Sequence, residues 1–270
     1  MGNIGAVYLF EWRRSLTAPR MAWWLVLAGF PVFIIGVIRF GIDQAIESSG
    51  NPEMKDPAPQ ELWVGFLFAL CPMLVSMLGT MLWVTPAVSL ELERRSWVYL
   101  AIRPHGGIAV LLGKYLAAVT WVIPPVLLGL TIAIPLSRMQ NGWQVWWAMS
   151  RLVCLSTPAF AAVYLLLGTI MPRRGMVLAV GYSLLFELVI SFVPAIINML
   201  TVHHHLQALL LQWCHLKIPP EFMASAVSLI GNSPSWHHVA ILLMYPPLLL
   251  AASVAILQAS EFSSSAESDV

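Results

Sequence analysis

Charge is what this sequence has least of. Only 10% of its 270 residues are Asp, Glu, Lys or Arg, where soluble domains carry about a quarter. A chain so poor in charge cannot cover itself in water, so lipid is the implied solvent. The net charge of +1 offers no basic face for nucleic acid. Cysteine is scarce too. Cys71 and Cys154 fall inside apolar runs and Cys214 in a connection, which gives no disulfide framework and no zinc spacing. His-Glu-x-x-His, Gly-x-Ser-x-Gly and paired aspartates within an apolar run are all missing, so no hydrolase signature stands out. Arg13, Arg14 and Arg20 precede an apolar run, but that run is too long for a signal peptide and no small-x-small cleavage site follows it.

What the sequence has in quantity is apolar surface: 59% hydrophobic residues and a mean hydropathy of +0.79. Six stretches are long enough to span a bilayer, at about 22–40, 62–88, 108–136, 145–171, 176–200 and 238–258. In lipid the backbone must satisfy itself, so these are expected as helices, and prolines such as Pro72, Pro124, Pro125, Pro246 and Pro247 kink them without excluding them. Many of the 12 tryptophans sit at segment ends, as interfacial anchors do. The expected class is therefore all-α: a polytopic membrane protein of six spans, one transmembrane domain over 1–259, and a short Ser-rich acidic tail over 260–270 that reads as disordered.

Lys and Arg placement orients it. With the N-terminus inside, cytoplasmic segments hold Arg13, Arg14, Arg20, Arg94, Arg95, Arg103, Lys114, Arg173 and Arg174, against Arg39, Lys55, Arg138, Arg151 and Lys217 outside. That asymmetry puts both termini in the cytoplasm. Residues 4–16 place Ile4, Tyr8, Trp12 and Leu16 on one stripe with Arg13 and Arg14 beside it, the pattern of a helix lying in the interface. Pro19 separates this helix from the first span. Residues 201–237 are too polar to span and too long for a turn. They open with His203, His204 and His205, followed by Leu206, Leu209, Leu210, Leu211 and Trp213, which suggests a short helix at the outer interface.

The cytoplasmic connection between the second and third spans is the most informative stretch. A charged patch, Glu93-Arg94-Arg95, precedes Ser96, which can cap a short helix. Trp97, Tyr99, Leu100 and Ala101 give that helix a face able to fill a partner's groove. Arg103-Pro104 ends it, and Leu111-Leu112-Gly113-Lys114 opens the next span. In order and approximate spacing these residues resemble the permease subunit of an ABC-2 type ABC transporter, whose members commonly carry a Glu-Arg patch, a short helix ending in proline and a Gly-Lys entry to the third span. Ser96-Trp97 stands where that family often has Gly-Thr. About 25 residues carry the likeness, while the span count and the interfacial helix fit the family in architecture.

The resemblance implies a division of labour. The chain binds no ATP and no cofactor of its own; ATP and Mg²⁺ belong to a separate ATPase subunit that docks under the coupling helix. The permease pairs with a second copy or a similar chain in the cell membrane, in the usual arrangement a bacterial inner membrane, and most members export. Trp97, Tyr99, Leu100 and Arg103 would pass the ATPase movement on, Pro104 and Lys114 belong to the same partner-binding segment and its flank, and Glu93, Arg94 and Arg95 would give charge complementarity at the rim. Gly107 to Tyr115 is not a nucleotide loop, because five residues separate Gly107 from Gly113 and Tyr115 stands where a Mg²⁺-binding hydroxyl belongs.

Glu187, in the fifth apolar stretch, is an intramembrane carboxylate and so a candidate translocation-path or interhelix site. Ser183 and Ser191, one turn to either side, share its face. Six of the seven histidines (His203, His204, His205, His215, His237 and His238) crowd the last outer connection, and only His105 lies elsewhere. Clustered histidines can hold a transition metal. Consecutive histidines point in different directions on a helix, however, so these read as interfacial polar groups and no metal is expected. The alternatives to a transporter subunit are a membrane-embedded enzyme, which needs polar residues converging around Glu187, and an ATP-independent transporter or channel, which predicts paired broken helices in two repeated halves.

Overall fold

The computed structural model describes residues 2–48, 59–87, 89–90, 106–189, 199–214 and 233–259. Among them every regular element is helical and none is a strand. In chain order these are α1 (Gly2–Ser15), α2 (Ala18–Ser48), α3 (Gln60–Ala87), α4 (Gly106–Ser137), α5 (Gly142–Ile170), α6 (Gly175–Tyr182), α7 (Val202–Cys214) and α8 (Ser235–Ala259). Five of them, α2, α3, α4, α5 and α8, are long and apolar enough to cross a membrane. That is the character of a helical multi-pass membrane protein.

Of the stretch expected as a fifth span, 176–200, the described residues are 176–189 and 199–200, and its middle lies outside them. Helix α6 runs from Tyr182 directly into a π-helical turn over Ser183–Val189, and α7 begins at Val202. The coupling segment over 91–105, Ser191 and the tail over 260–270 lie outside the described residues.

α5 is the hub of the bundle. It packs against α3, α4, α6, α7 and α8, and Phe160, Ala161, Ala162, Tyr164 and Leu165 are fully buried along it. Small residues let its neighbours approach. A Cβ at Gly168 would stand 2.3 Å from the carbonyl oxygen of Thr85, so only glycine fits where the end of α3 crosses α5. α2 and α8 each bury one face in this core and expose large apolar side chains on the other, among them Trp23, Phe33, Phe40, Leu243, Met244 and Leu248. In water such faces would aggregate, whereas against acyl chains they are the expected exterior.

α3 contains its own wide turn. A π-helical segment over Ala69–Val75 surrounds Pro72, which lacks an N–H and whose ring would collide with the carbonyl four residues back in a regular helix. The carbonyl of Cys71 accepts from the Ser76 hydroxyl at 3.1 Å, and Ser76 Oγ meets Thr157 Oγ1 of α5 at 3.4 Å.

The two ends of the bundle differ in charge. At one end gather α1, the end of α3, the start of α4, the end of α5 and the start of α6, with Arg13, Arg14, Arg20, Lys114, Arg173 and Arg174 among them. At the other, Arg39 and Arg138 share Asp43 at 2.8 and 3.6 Å. There the α4–α5 turn places Arg138 and Asn141 at positive φ, and Trp143, Trp146 and Trp147 cluster with ring centroids 5.2–5.7 Å apart. Such a girdle marks the level where apolar and polar surroundings meet.

Candidate functional site

Two buried side chains of opposite polarity meet backbone groups of other helices: Lys114 on α4 and Glu187 in the turn after α6. The first is Lys114. It lies two turns into α4 and is 8% exposed. Its Nζ donates to the carbonyl oxygen of Ala87 at 2.9 Å and sits 4.0 Å from Glu11 Oε1 of α1. Ala87 is the last described residue of α3, and its carbonyl oxygen serves the ammonium as an acceptor. One ammonium thus ties the residue before the 88–105 connection to the helix that follows it, and both to α1.

α1 is seated by the same few residues. Gly113 admits it: a Cβ there would lie 2.7 Å from Val7 Cγ1 and 3.3 Å from the Ile4 carbonyl. Trp12 Nε1 donates to Thr120 Oγ1 at 2.9 Å, and its ring meets Trp121 edge-on at 5.1 Å. The packed face of α1 therefore follows Ile4, Val7, Glu11 and Trp12. Leu16, expected on the apolar stripe, falls beyond the helix and is exposed. The break between α1 and α2 falls just before Pro19, which takes a place in the first turn of α2, where its missing N–H costs nothing.

The second buried side chain is Glu187, fully enclosed in the π-helical turn after α6. Oε1 accepts from the Tyr182 hydroxyl at 2.7 Å and from the backbone N–H of Val202 at 3.3 Å, and Oε2 accepts from the N–H of His203 at 3.0 Å. Val202 and His203 are the first two residues of α7. The next amide, of His204, donates to Thr201 Oγ1 at 3.2 Å. The opening N–H groups of α7, which have no partner within the helix, are thus met by a carboxylate from another element and by a hydroxyl cap. A helix N-terminus favours an anion. All three groups facing Glu187 are donors, which suits the acceptor-only ionised carboxylate.

Ser183 anchors the same seam from below. Its hydroxyl donates to the Ala179 carbonyl at 2.8 Å, so the 2.6 Å contact with Tyr164 is donated by the tyrosine of α5. Tyr182 stacks on Phe186 and meets Tyr164 edge-on. The start of α7 lies within the bundle. The His203 ring contacts Phe68, the ninth residue of α3, and the Leu200 carbonyl accepts from Tyr245, eleven residues into α8. Its far end returns to the start of α8, where Gln212 Nε2 donates to the Ser233 carbonyl at 3.1 Å and Ser235 donates to Gln212 Oε1.

Of the residues singled out in the sequence, the structure brings Ser183 and Glu187 onto one polar seam and buries Lys114 beneath the connection rather than on a face. Glu93, Arg94, Arg95, Trp97, Tyr99, Leu100, Arg103, Pro104 and Ser191 lie outside the described residues. Tyr182, Tyr164 and Thr201 were not anticipated. Tyr182 and Thr201 flank the apolar run that contains Glu187, and hydroxyls beside a buried carboxylate are the available sequence signal for them. His204, His205 and His238 are also brought together, although 33 residues separate the last two. No protein-family model matches the chain, and no curated protein matches it either.

Proposed function

We propose that this chain is the membrane-spanning permease subunit of an ABC-2 type transporter, working as an exporter with a separate ATPase subunit and a second permease copy. The observation that supports it best is the Lys114 clamp. Lys114 joins Ala87 of α3 to α4 across the connection that carries the coupling motif, and Glu11 brings α1 into the same contact. A push on that connection has a short rigid route into α3, α4 and α1 together, which is what a transmission element requires. In this reading the stretch over 176–200 is the fifth of six crossings, and both termini lie in the cytoplasm. This orientation places the Arg-rich end inside, as the positive-inside rule asks.

An embedded enzyme finds less support. Its acid or base would have to be Glu187, and three donors already occupy that carboxylate. The test is extraction of the tagged chain from its native membrane in mild detergent, with mass spectrometry of what accompanies it. A stoichiometric partner bearing a Gly-x-x-x-x-Gly-Lys-Ser/Thr loop is expected. The double variant Trp97→Ala, Arg103→Glu should insert normally and lose that partner. Recovery of the chain alone, or undiminished partner in the double variant, overturns the reading.

A further inference from the structure

Three imidazoles meet where α7 packs against the start of α8. His204 and His205 are consecutive on α7, and His238 is the fourth residue of α8. One nitrogen from each lies within 4.8 Å of the other two. The ring centroids stand 5.2 Å (His204–His205), 6.1 Å (His204–His238) and 5.2 Å (His205–His238) apart. All three side chains are buried, at 7, 3 and 3% exposure. Apolar packing does not call for this. Each buried ring brings two nitrogens out of water, and that is costly unless something binds them.

The hydrogen bonding fixes one ring. His205 Nε2 lies 2.9 Å from the Met199 carbonyl oxygen. A carbonyl only accepts, so Nε2 carries the proton and Nδ1 keeps its lone pair, directed at His238 Nδ1 2.9 Å away. Here that lone pair accepts from His238 Nδ1–H, and loss of this proton would turn both Nδ1 atoms toward an ion; a ring N–H given to a backbone carbonyl is the outer-shell arrangement of metal-binding histidines. His204 Nδ1 is buried with no hydrogen-bond partner among the described residues.

We propose that His204, His205 and His238 form a binding site for one divalent first-row transition ion, with zinc as the reference case, that fastens α7 to α8. Three imidazoles without a carboxylate suit Zn²⁺, Co²⁺, Ni²⁺ or Cu²⁺ rather than Mg²⁺ or Ca²⁺. Three protein ligands leave a fourth position open. Nitrogens sharing a tetrahedral ion at about 2.0–2.1 Å are about 3.3–3.4 Å apart. The His205–His238 pair therefore opens by about half an ångström, the wider pairs close, and small χ rotations supply both movements. The site does not depend on the transporter reading.

The whole chain, purified through a histidine-free tag, is stripped with a chelator and titrated with Zn²⁺ against a competing chromophoric chelator. Co²⁺ then serves as a spectroscopic probe of geometry. One ion per chain, tetrahedral Co²⁺ bands and a thermal midpoint that rises with Zn²⁺ are expected. His205→Asn should weaken binding by more than the ~10–100-fold that loss of an outer-shell partner costs, and His237→Gln, an exposed neighbour, should leave it unchanged. Should His205→Asn fail to accumulate, His204→Gln and His238→Gln report the same loss singly. Substoichiometric Zn²⁺ on folded wild-type protein, or wild-type affinity in the ligand variants, overturns the site.

Discussion

Lys114 and Glu187 solve one problem with opposite signs. Each is an ionisable group buried among apolar helices, and each is met by backbone groups of complementary polarity: the ammonium by the Ala87 carbonyl of α3, the carboxylate by the first amides of α7. They differ in what else surrounds them. Lys114 has a formal counter-charge near it, Glu11, in a region where charged side chains are common. Glu187 sits in an apolar run, and its partners among the described residues are an O–H and two N–H groups. The lesson concerns cost. A charge near an interface can lean on a carboxylate whose contribution is small, whereas one deep in the bundle depends on every donor it has.

The comparison can be broken most directly at Glu187. Glu187→Ala orphans two backbone amides, and each unsatisfied buried donor costs about 1–3 kcal/mol. We expect a loss of about 2–4 kcal/mol, read as a lower thermal midpoint in detergent and greater protease sensitivity around α7. A midpoint equal to wild type would show that the cap contributes nothing. Gly113→Leu attacks the other region sterically by pushing α1 off α4, at about 1–3 kcal/mol for overpacking. In Gly113→Ala, the partner change Val7→Ala should restore much of the loss, because the added Cβ would meet Val7 first. Failure of that rescue would mean that α1 is not seated there. The smallest effect belongs to Trp12→Phe, which keeps a ring against Trp121 but removes the bond to Thr120, at about 1 kcal/mol. A cysteine cross-link between α1 and α4, lost in Gly113→Leu and kept in Trp12→Phe, separates the two cases.

The sequence makes some of this legible and hides the rest for physical reasons. Lipid selects long apolar runs, so α2, α3, α4, α5 and α8 can be read directly from hydropathy, and Pro19 announces the end of α1. The cap on α7 cannot be read that way, because it comes from Glu187, 15 residues away from Val202. Lys114 shows the same limit. Its spacing marks the entry to a helix, but its partners Ala87 and Glu11 lie 27 and 103 residues upstream. The histidines were visible as a crowd. What remained hidden was that two adjacent rings on α7 can flank a third carried by another helix.

The wide turn in α3 has a consequence for how this helix can change. A π turn holds about one residue more than an α turn, and each residue of an α-helix advances about 100°. Everything after Val75 is therefore phased as though a single codon had been inserted into a plain helix. That phase is what points Ser76 at Thr157 and sets Gly79 against Val122. Deleting one residue from Ala69–Val75 would leave hydropathy nearly untouched, yet it would turn the whole lower half of α3 by about a quarter to a third of a revolution. In this helix a one-residue deletion is thus a more drastic event than most substitutions.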